Sequence, residues 1–138
     1  MFNTNDIMNM LDWNNDLSVQ ERGRRLAKDI ECINIFFQPM DRKYNKNVWD
    51  NCALILFEKA DEELRPYLDR MLEWLIDMNW PGAEKVYERL AIYGDRTWLI
   101  YVIDRSIEKA RALQEDTWHE TLVALKKGKT VKECLAQQ

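Results

Sequence analysis

Side chains able to do covalent, acid–base or metal chemistry are few in this sequence, and their spacing suits none of those reactions well. His119 is the single histidine, so neither a His-rich metal site nor the usual acid–base pair can be assembled. Its place one residue after Trp118, on the first turn of a helix, suits a polar surface contact. Cys32, Cys52 and Cys134 are odd in number, widely spaced and in no C-x-x-C arrangement, a usage that fits reduced thiols better than a disulfide framework or a zinc site. Cys52 falls where a small buried residue is wanted, and nothing nearby supplies the cationic setting that activates a thiol. Glu73 and Asp77 stand one helical turn apart, so an enzyme working with carboxylates alone would use them; a solvated helix face accounts for the pair without chemistry. No catalytic residue, metal site or cofactor is expected, and the chain reads as not an enzyme.

Tryptophan is the more informative residue. Of six in 138 residues, Trp49, Trp80 and Trp118 recur near the starts of equivalent helices and are expected to stack along one side of the molecule. There each would fill a gap between units, its indole N–H bonded to a carbonyl or to a carboxylate such as Asp77. Any edge of this row left exposed would rim a binding groove, since Trp is enriched where binding energy concentrates. The candidate binding residues are therefore Trp49, Glu73, Asp77, Asn79, Trp80 and Trp118. Trp74 and Trp98 read as core, and Trp13, in an Asn-rich segment, as partly exposed.

The elements that must position these residues are helices. Four Gly and three Pro leave few breakers, and apolar residues recur at steps of three and four. Asp6 to Leu11 suits a short helix. Ser18-Val19-Gln20-Glu21 reads as a capping box opening a helix that carries Val19, Gly23, Leu26, Ala27, Ile30, Ile33 and Phe37 and is closed by Pro39. Asp41 to Asn47 is a polar loop, and Asn47 caps a helix from Val48 to about Lys59. After a turn at Asp61 to Leu64, Pro66 starts a helix reaching about Asp77. Pro81 starts another, capped by Asn79 or Trp80, ending near Tyr93 with Gly94 as its stop. Asp95 caps a long helix over about Arg96 to Leu113, Asp116 begins one that ends before Gly128, and Thr130-Val131-Lys132-Glu133 is a second capping box. Thr97 to Ile103, though rich in β-branched residues, lies inside a helical pattern, and no strand is expected.

Laid on itself, the chain repeats. Trp49, Cys52, Ile55 and Leu56 recur as Trp80, Ala83, Val86 and Tyr87, and Tyr67, Leu68, Met71, Leu72 and Ile76 as Trp98, Leu99, Val102, Ile103 and Ile107, at one constant offset. Trp118, Thr121, Ala124 and Leu125 form a third copy at a longer offset. Helix pairs repeating every 30 to 40 residues or so point to an α-solenoid, in which each pair buries its face by stacking on its neighbours. The expected fold is all-α: seven or eight helices in HEAT-like antiparallel pairs with right-handed stacking, in one domain over 1–138. Irregular capping helices fill 1–40, repeat units 47–78, 79–113 and 115–128, and a short final helix 130–138. The segment from Trp49 to Ala53, the junction Trp74-Leu75-Ile76-Asp77-Met78-Asn79-Trp80-Pro81-Gly82 and Asp116-Thr117-Trp118 together resemble a bacterial family of small uncharacterised domains with HEAT-like helical repeats. That resemblance implies the fold and carries no activity, substrate or cofactor with it.

Charge narrows the partners. The longest stretch without Asp, Glu, Lys or Arg runs only from Cys32 to Met40, far short of the roughly 20 apolar residues of a membrane span. Met1 to Met10 has no pattern of a secretory signal, so a cytoplasmic location is expected. A net charge of -4 gives no overall attraction to nucleic acid or an anionic membrane. Six acids between Asp61 and Asp77 would favour a basic partner. The leading expectation is a non-catalytic module that binds a protein or peptide, with an antitoxin-like immunity protein as its narrower form. The alternative is a nucleic-acid-binding HEAT-like surface, with Arg22, Arg24, Arg25 and the lysines Lys126, Lys127, Lys129 and Lys132 on phosphates.

Overall fold

The computed structural model describes residues 2–39 and 43–137, and among them every regular element is helical and no strand occurs. The helices are α1 (Thr4–Met10), α2 (Leu17–Ala27), α3 (Trp49–Phe57), α4 (Asp61–Leu64), α5 (Leu68–Trp74), α6 (Ala83–Ala91), α7 (Arg96–Ala112), α8 (Asp116–Lys126) and α9 (Val131–Ala136). Turns of 3-10 helix occupy Ile33–Phe36, Lys46–Val48 and Arg65–Tyr67. Because α4 is a single turn, eight longer helices remain among the described residues.

Local chemistry explains where these helices begin and end. Asp95 accepts the Trp98 N–H at 3.0 Å and starts α7, and Thr130 and Glu133 close the expected capping box at 3.1 and 3.0 Å. Gly128 takes the left-handed conformation at φ 77°, and the Lys129 N–H turns back to the Ala124 carbonyl at 3.0 Å, satisfying the end of α8. The other expected box does not form. Helix α2 starts two residues earlier, at Leu17 after Asp16 rather than at Val19 after Ser18, with no side-chain cap, and the box that does form is Asn3 with Asp6 at α1. Nor does α2 reach Pro39. It stops at Ala27, because Asp29, Ile30, Cys32, Ile33 and Asn34 all disfavour helix; Ile33, Phe36 and Phe37 are buried by the 3-10 turn instead.

Four further starts and ends differ from expectation. Asn45, not Asn47, caps the chain before α3 by accepting the Asn47 N–H at 2.9 Å; within the expected loop Asp41 to Asn47, Asp41 and Arg42 lie outside the described residues. Asp61 to Leu64 is helical, and Pro66 sits in the 3-10 segment between α4 and α5, where its missing N–H costs least. Helix α5 ends at Trp74, since the Asp77 carboxylate takes the Asn79 N–H at 2.8 Å in a turn of its own, an alternative to helix that Asp and Asn readily offer. Helix α6 therefore begins at Ala83, capped by Gly82 rather than by Asn79 or Trp80.

Helices α1 and α2 pair and lean on α3; α3 packs on α6, α5 on both α6 and α7, α7 on α8, and α9 closes against α6 and α8. One apolar cluster runs through all of them, from Ile7 to Cys134. Buried Asn51 ties the N-terminal pair to α3. Its amide donates to the Leu11 carbonyl at 2.7 Å and to Gln20 at 2.9 Å, and its oxygen accepts from Arg24. Among the described residues no helix is long and apolar enough to cross a membrane.

Candidate functional site

The six candidate binding residues are not brought to one place. Trp49 and Trp80 meet edge to face with ring centroids 5.9 Å apart, and Trp49 also meets Trp74 at 6.5 Å; Trp118 takes part in neither contact. Trp118 is fully buried, its indole donating to the Leu72 carbonyl at 2.9 Å. At the junction the buried Trp49 indole N–H, expected to find a carbonyl or carboxylate, has no acceptor among the described residues; the Trp74 indole, read only as core, donates to the Pro81 carbonyl at 3.0 Å, and the Asp77 carboxylate serves the Asn79 N–H. Gly82 has φ 86°, and a Cβ there would come within 2.9 Å of the Trp49 carbonyl oxygen and the Trp74 ring, and 2.8 Å of Ala53. The junction is thus a closed piece of packing. What it leaves at the surface is Asn79 and one side of half-buried Trp80, on a shallow hollow of about 470 Å³ shared with Asp50, Glu84 and Lys85.

The sixth candidate, Glu73, belongs to a different site. A groove of about 700 Å³ runs between α5, with the 3-10 turn before it, and α7. Leu68, Val102 and Ser106, all buried, form its floor. At one end Lys109 reaches across to Glu73 at 2.6 Å. At the other, the Arg65 guanidinium lies over the Trp98 ring, 4.4 Å from its centroid, and pairs with Asp95 at 3.2 Å. The Trp98 N–H and the Arg65 guanidinium together hold the Asp95 carboxyl below its ordinary range. Trp98 stacks in turn on Tyr101 at 5.2 Å, and Arg105 lies over the Tyr101 ring at 5.9 Å. Arg65, Trp98, Tyr101 and Arg105 form one continuous stack in which Arg65, Trp98 and Arg105 line the groove and half-exposed Tyr101 links them from outside the lining.

The frame of this groove is set by Asp61. Its carboxylate accepts from buried Arg89 at 2.5 Å and from the Gly94 N–H at 2.8 Å, so the start of the run leading into α5 is bonded to the residue just before the α7 cap. Arg89 also donates to the Lys59 carbonyl at 2.8 Å. Burial raises the Asp61 carboxyl, but the Arg89 and Gly94 bonds outweigh that and its pKa lies below the ordinary value.

The remaining chemical candidates are placed elsewhere. Helices α3 and α5 leave Cys52 buried and Glu73 paired with Lys109, and Asp77 lies past the end of α5, so the two carboxylates do not share a helix face. Cys134 is buried and its thiol is pushed up by that burial, which leaves it unreactive; Cys32 is exposed. Half-buried His119 faces a hollow of about 600 Å³ between α7 and α8, shared with Arg111 and Lys127. Among the described residues no group of three or more His, Cys, Asp or Glu is arranged to hold a metal ion. Several of the basic residues assigned to phosphates are engaged: Arg24 with Asn51, Arg22 over the Phe2 ring, Lys126 with Asp104 at 2.7 Å, and Lys129 with Gln137 at 2.7 Å.

Sequence reasoning passed over Arg65, Tyr101, Arg105 and Lys109, and took Trp98 for core although it is half-buried. A signal was present. Trp98, Tyr101, Arg105 and Lys109 fall at i, i+3, i+7 and i+11, one stripe of a helix, and Trp, Tyr and Arg are the types that dominate binding hot spots.

The family model described as Domain of unknown function (DUF5071) matches residues 44–125, and the chain belongs to that family. The match spans both the tryptophan junction and the α5–α7 groove and leaves α1, α2 and α9 outside it. No curated protein and no solved structure matches the chain.

Proposed function

We propose that this chain is a non-catalytic protein-binding module of HEAT-like stacked helix pairs, and that the groove between α5 and α7 holds an extended segment of a partner protein. One observation carries the reading: a groove of about 700 Å³ with an apolar floor, charges of both signs on its walls and an aromatic–arginine stack at its mouth. Such a combination of Trp, Tyr and Arg beside buried aliphatic side chains is what protein interfaces concentrate at their centres. Stacked repeat units are supported by the packing of α3 on α6 and of α5 on α7, the two helix pairs related by the constant sequence offset. Positions paired by that offset also share burial, Cys52 with Ala83, Leu56 with Tyr87 and Leu72 with Ile103.

The exposed acids Glu62, Glu63, Asp69 and Glu108 and the net charge of -4 favour encounter with a basic protein. An antitoxin-like immunity protein, with a basic toxin as partner, is the narrower form of the proposal. Its test is capture from native extract on three immobilised forms of the full chain: wild type, Trp98→Ala, and Ile92→Ala, which alters an exposed residue at the end of α6. A protein retained by wild type and by Ile92→Ala but lost with Trp98→Ala supports the reading. Retention that ignores Trp98→Ala, or no retained protein from repeated native extracts, overturns it.

A further inference from the structure

Both ends of the α5–α7 groove are closed by contacts that use up their own charges. Glu73 has Lys109, and Arg65 has Asp95 and the Trp98 ring. Between those ties the α5 wall carries one more charge and the α7 wall two of opposite sign, Arg105 and exposed Glu108. Asp69, exposed, stands one helical turn before Glu73 on α5, and Arg105, exposed, stands one turn before Lys109 on α7. Among the described residues neither makes an ion pair. The guanidinium of Arg105 is steadied over Tyr101, and a stacked guanidinium keeps its planar N–H fork free for a carboxylate. Across the groove the Asp69 carboxylate accepts bonds and cannot donate them. Leu68 and Val102 lie beneath.

We infer that the groove, on the protein-binding reading above, selects an extended peptide that offers an acidic side chain to Arg105 and a basic one to Asp69, with an apolar side chain seated between them on Leu68 and Val102. Charge complementarity names the occupant. A uniformly acidic segment would pair with Arg105 and meet like charge at Asp69 and Glu108, and a uniformly basic one would pair with those acids and meet like charge at Arg105, a juxtaposition that is costly in a partly desolvated groove. An all-apolar segment would cover both charges without pairing either.

The test uses the full chain and a random-sequence peptide library displayed on phage, followed by fluorescence anisotropy on the enriched peptides. Enriched peptides are expected to combine an acid and a base around an apolar residue, and to lose affinity about tenfold or more on either Asp69→Lys or Arg105→Glu. The double variant carrying both reversals is expected to prefer the same peptide with its acid and base exchanged. Peptides that are lost with Trp98→Ala yet indifferent to both charge reversals would overturn this inference and leave the groove as a binding site. No peptide whose binding depends on Trp98 would overturn both readings.

Discussion

Two regions of this molecule are built from the same residue types, and they differ in what covers them. At the α5–α6 junction Trp49 meets both Trp74 and Trp80, the Trp74 indole has a carbonyl, and Gly82 is so tightly held that no side chain fits there. In the α5–α7 groove the Trp98 ring has Tyr101 and Arg65 against it. Its counterpart at the constant offset, Tyr67, is covered by Phe37 of the N-terminal region, with rings stacked at 4.6 Å. The third copy lies at a longer offset, and Trp98 is left to side chains of α7 and the 3-10 turn. At the junction the aromatic residues are consumed as packing against one another, whereas at the groove Trp98 keeps part of its ring at the surface.

The sharpest way to break that comparison is truncation of one tryptophan in each region. Trp74→Ala removes a fully buried ring and strands the Pro81 carbonyl, and is expected to lower stability by about 4 kcal/mol. Trp98→Ala, at a half-buried site whose indole N–H has no acceptor among the described residues, is expected to lose no more than about 2 kcal/mol. Urea unfolding of both decides it, and equal losses would mean that Trp98 is core after all.

Gly82→Ala sharpens the junction side. A left-handed conformation costs a non-glycine residue about 1–2 kcal/mol, and the new methyl would lie within 2.9 Å of a backbone oxygen and an indole ring, so a total of about 3 kcal/mol is expected. Gly128→Ala is the built-in control, since φ is also positive there but nothing lies within 4 Å of the added carbon, and about 1 kcal/mol is expected. If the two glycines cost the same, the close approach at Gly82 contributes nothing.

How far these regions could be read beforehand follows the same division. The starts of α7 and α9 were legible because Asp95 and the Thr130–Glu133 box act on backbone groups within three residues. The early ends of α2 and α5 were hidden by apolar residues that continue the helical spacing, Ile33 and Phe37 after one and Ile76 after the other, yet pack from turns. At the junction the bonding was not legible: Trp49, expected to have an acceptor, has none among the described residues, and the Trp74 indole is met by a backbone carbonyl that no residue type announces. The groove was hidden for a different reason. Glu73 meets Lys109 and Arg65 meets Trp98 across more than thirty residues of chain, and pairing at that range is decided by how α5 lies on α7.

The groove's frame has a pH signature. The Asp61 carboxyl is held below its ordinary pKa by Arg89 and Gly94 despite the opposing effect of burial. A depressed carboxyl contributes stability above its unfolded value of about 4, and that contribution is lost as pH falls through the folded value. Asp61→Asn leaves buried Arg89 without its counter-charge; because the Asp61 side chain is itself 38% exposed, a loss of about 2 kcal/mol at neutral pH is expected, below the usual range for a fully buried pair. The difference between wild type and Asp61→Asn is expected to shrink below pH 4 or so, measured by denaturant unfolding at both pH values. A difference that stays constant with pH would assign the loss to packing and leave the ion pair without a part in the frame.

The smallest effect concerns the tie that closes the groove, and its two partners are not equivalent. Glu73 is 18% exposed and Lys109 54%, so removing one charge is not the mirror of removing the other. Glu73→Gln leaves an exposed ammonium that water solvates, and about 0.5 kcal/mol or less is expected. Lys109→Met leaves a partly covered carboxylate without its partner, and about 1 kcal/mol is expected. Both variants lengthen the open floor over Leu68, Val102 and Ser106 without touching Asp69 or Arg105, so a peptide selected on the wild type should keep its charge preference in each. A loss beyond about 2 kcal/mol from Glu73→Gln would be larger than an exposed ion pair supplies. It would place Glu73 in the packed interior together with the tryptophan junction, and the groove would then end one helical turn earlier, at Asp69.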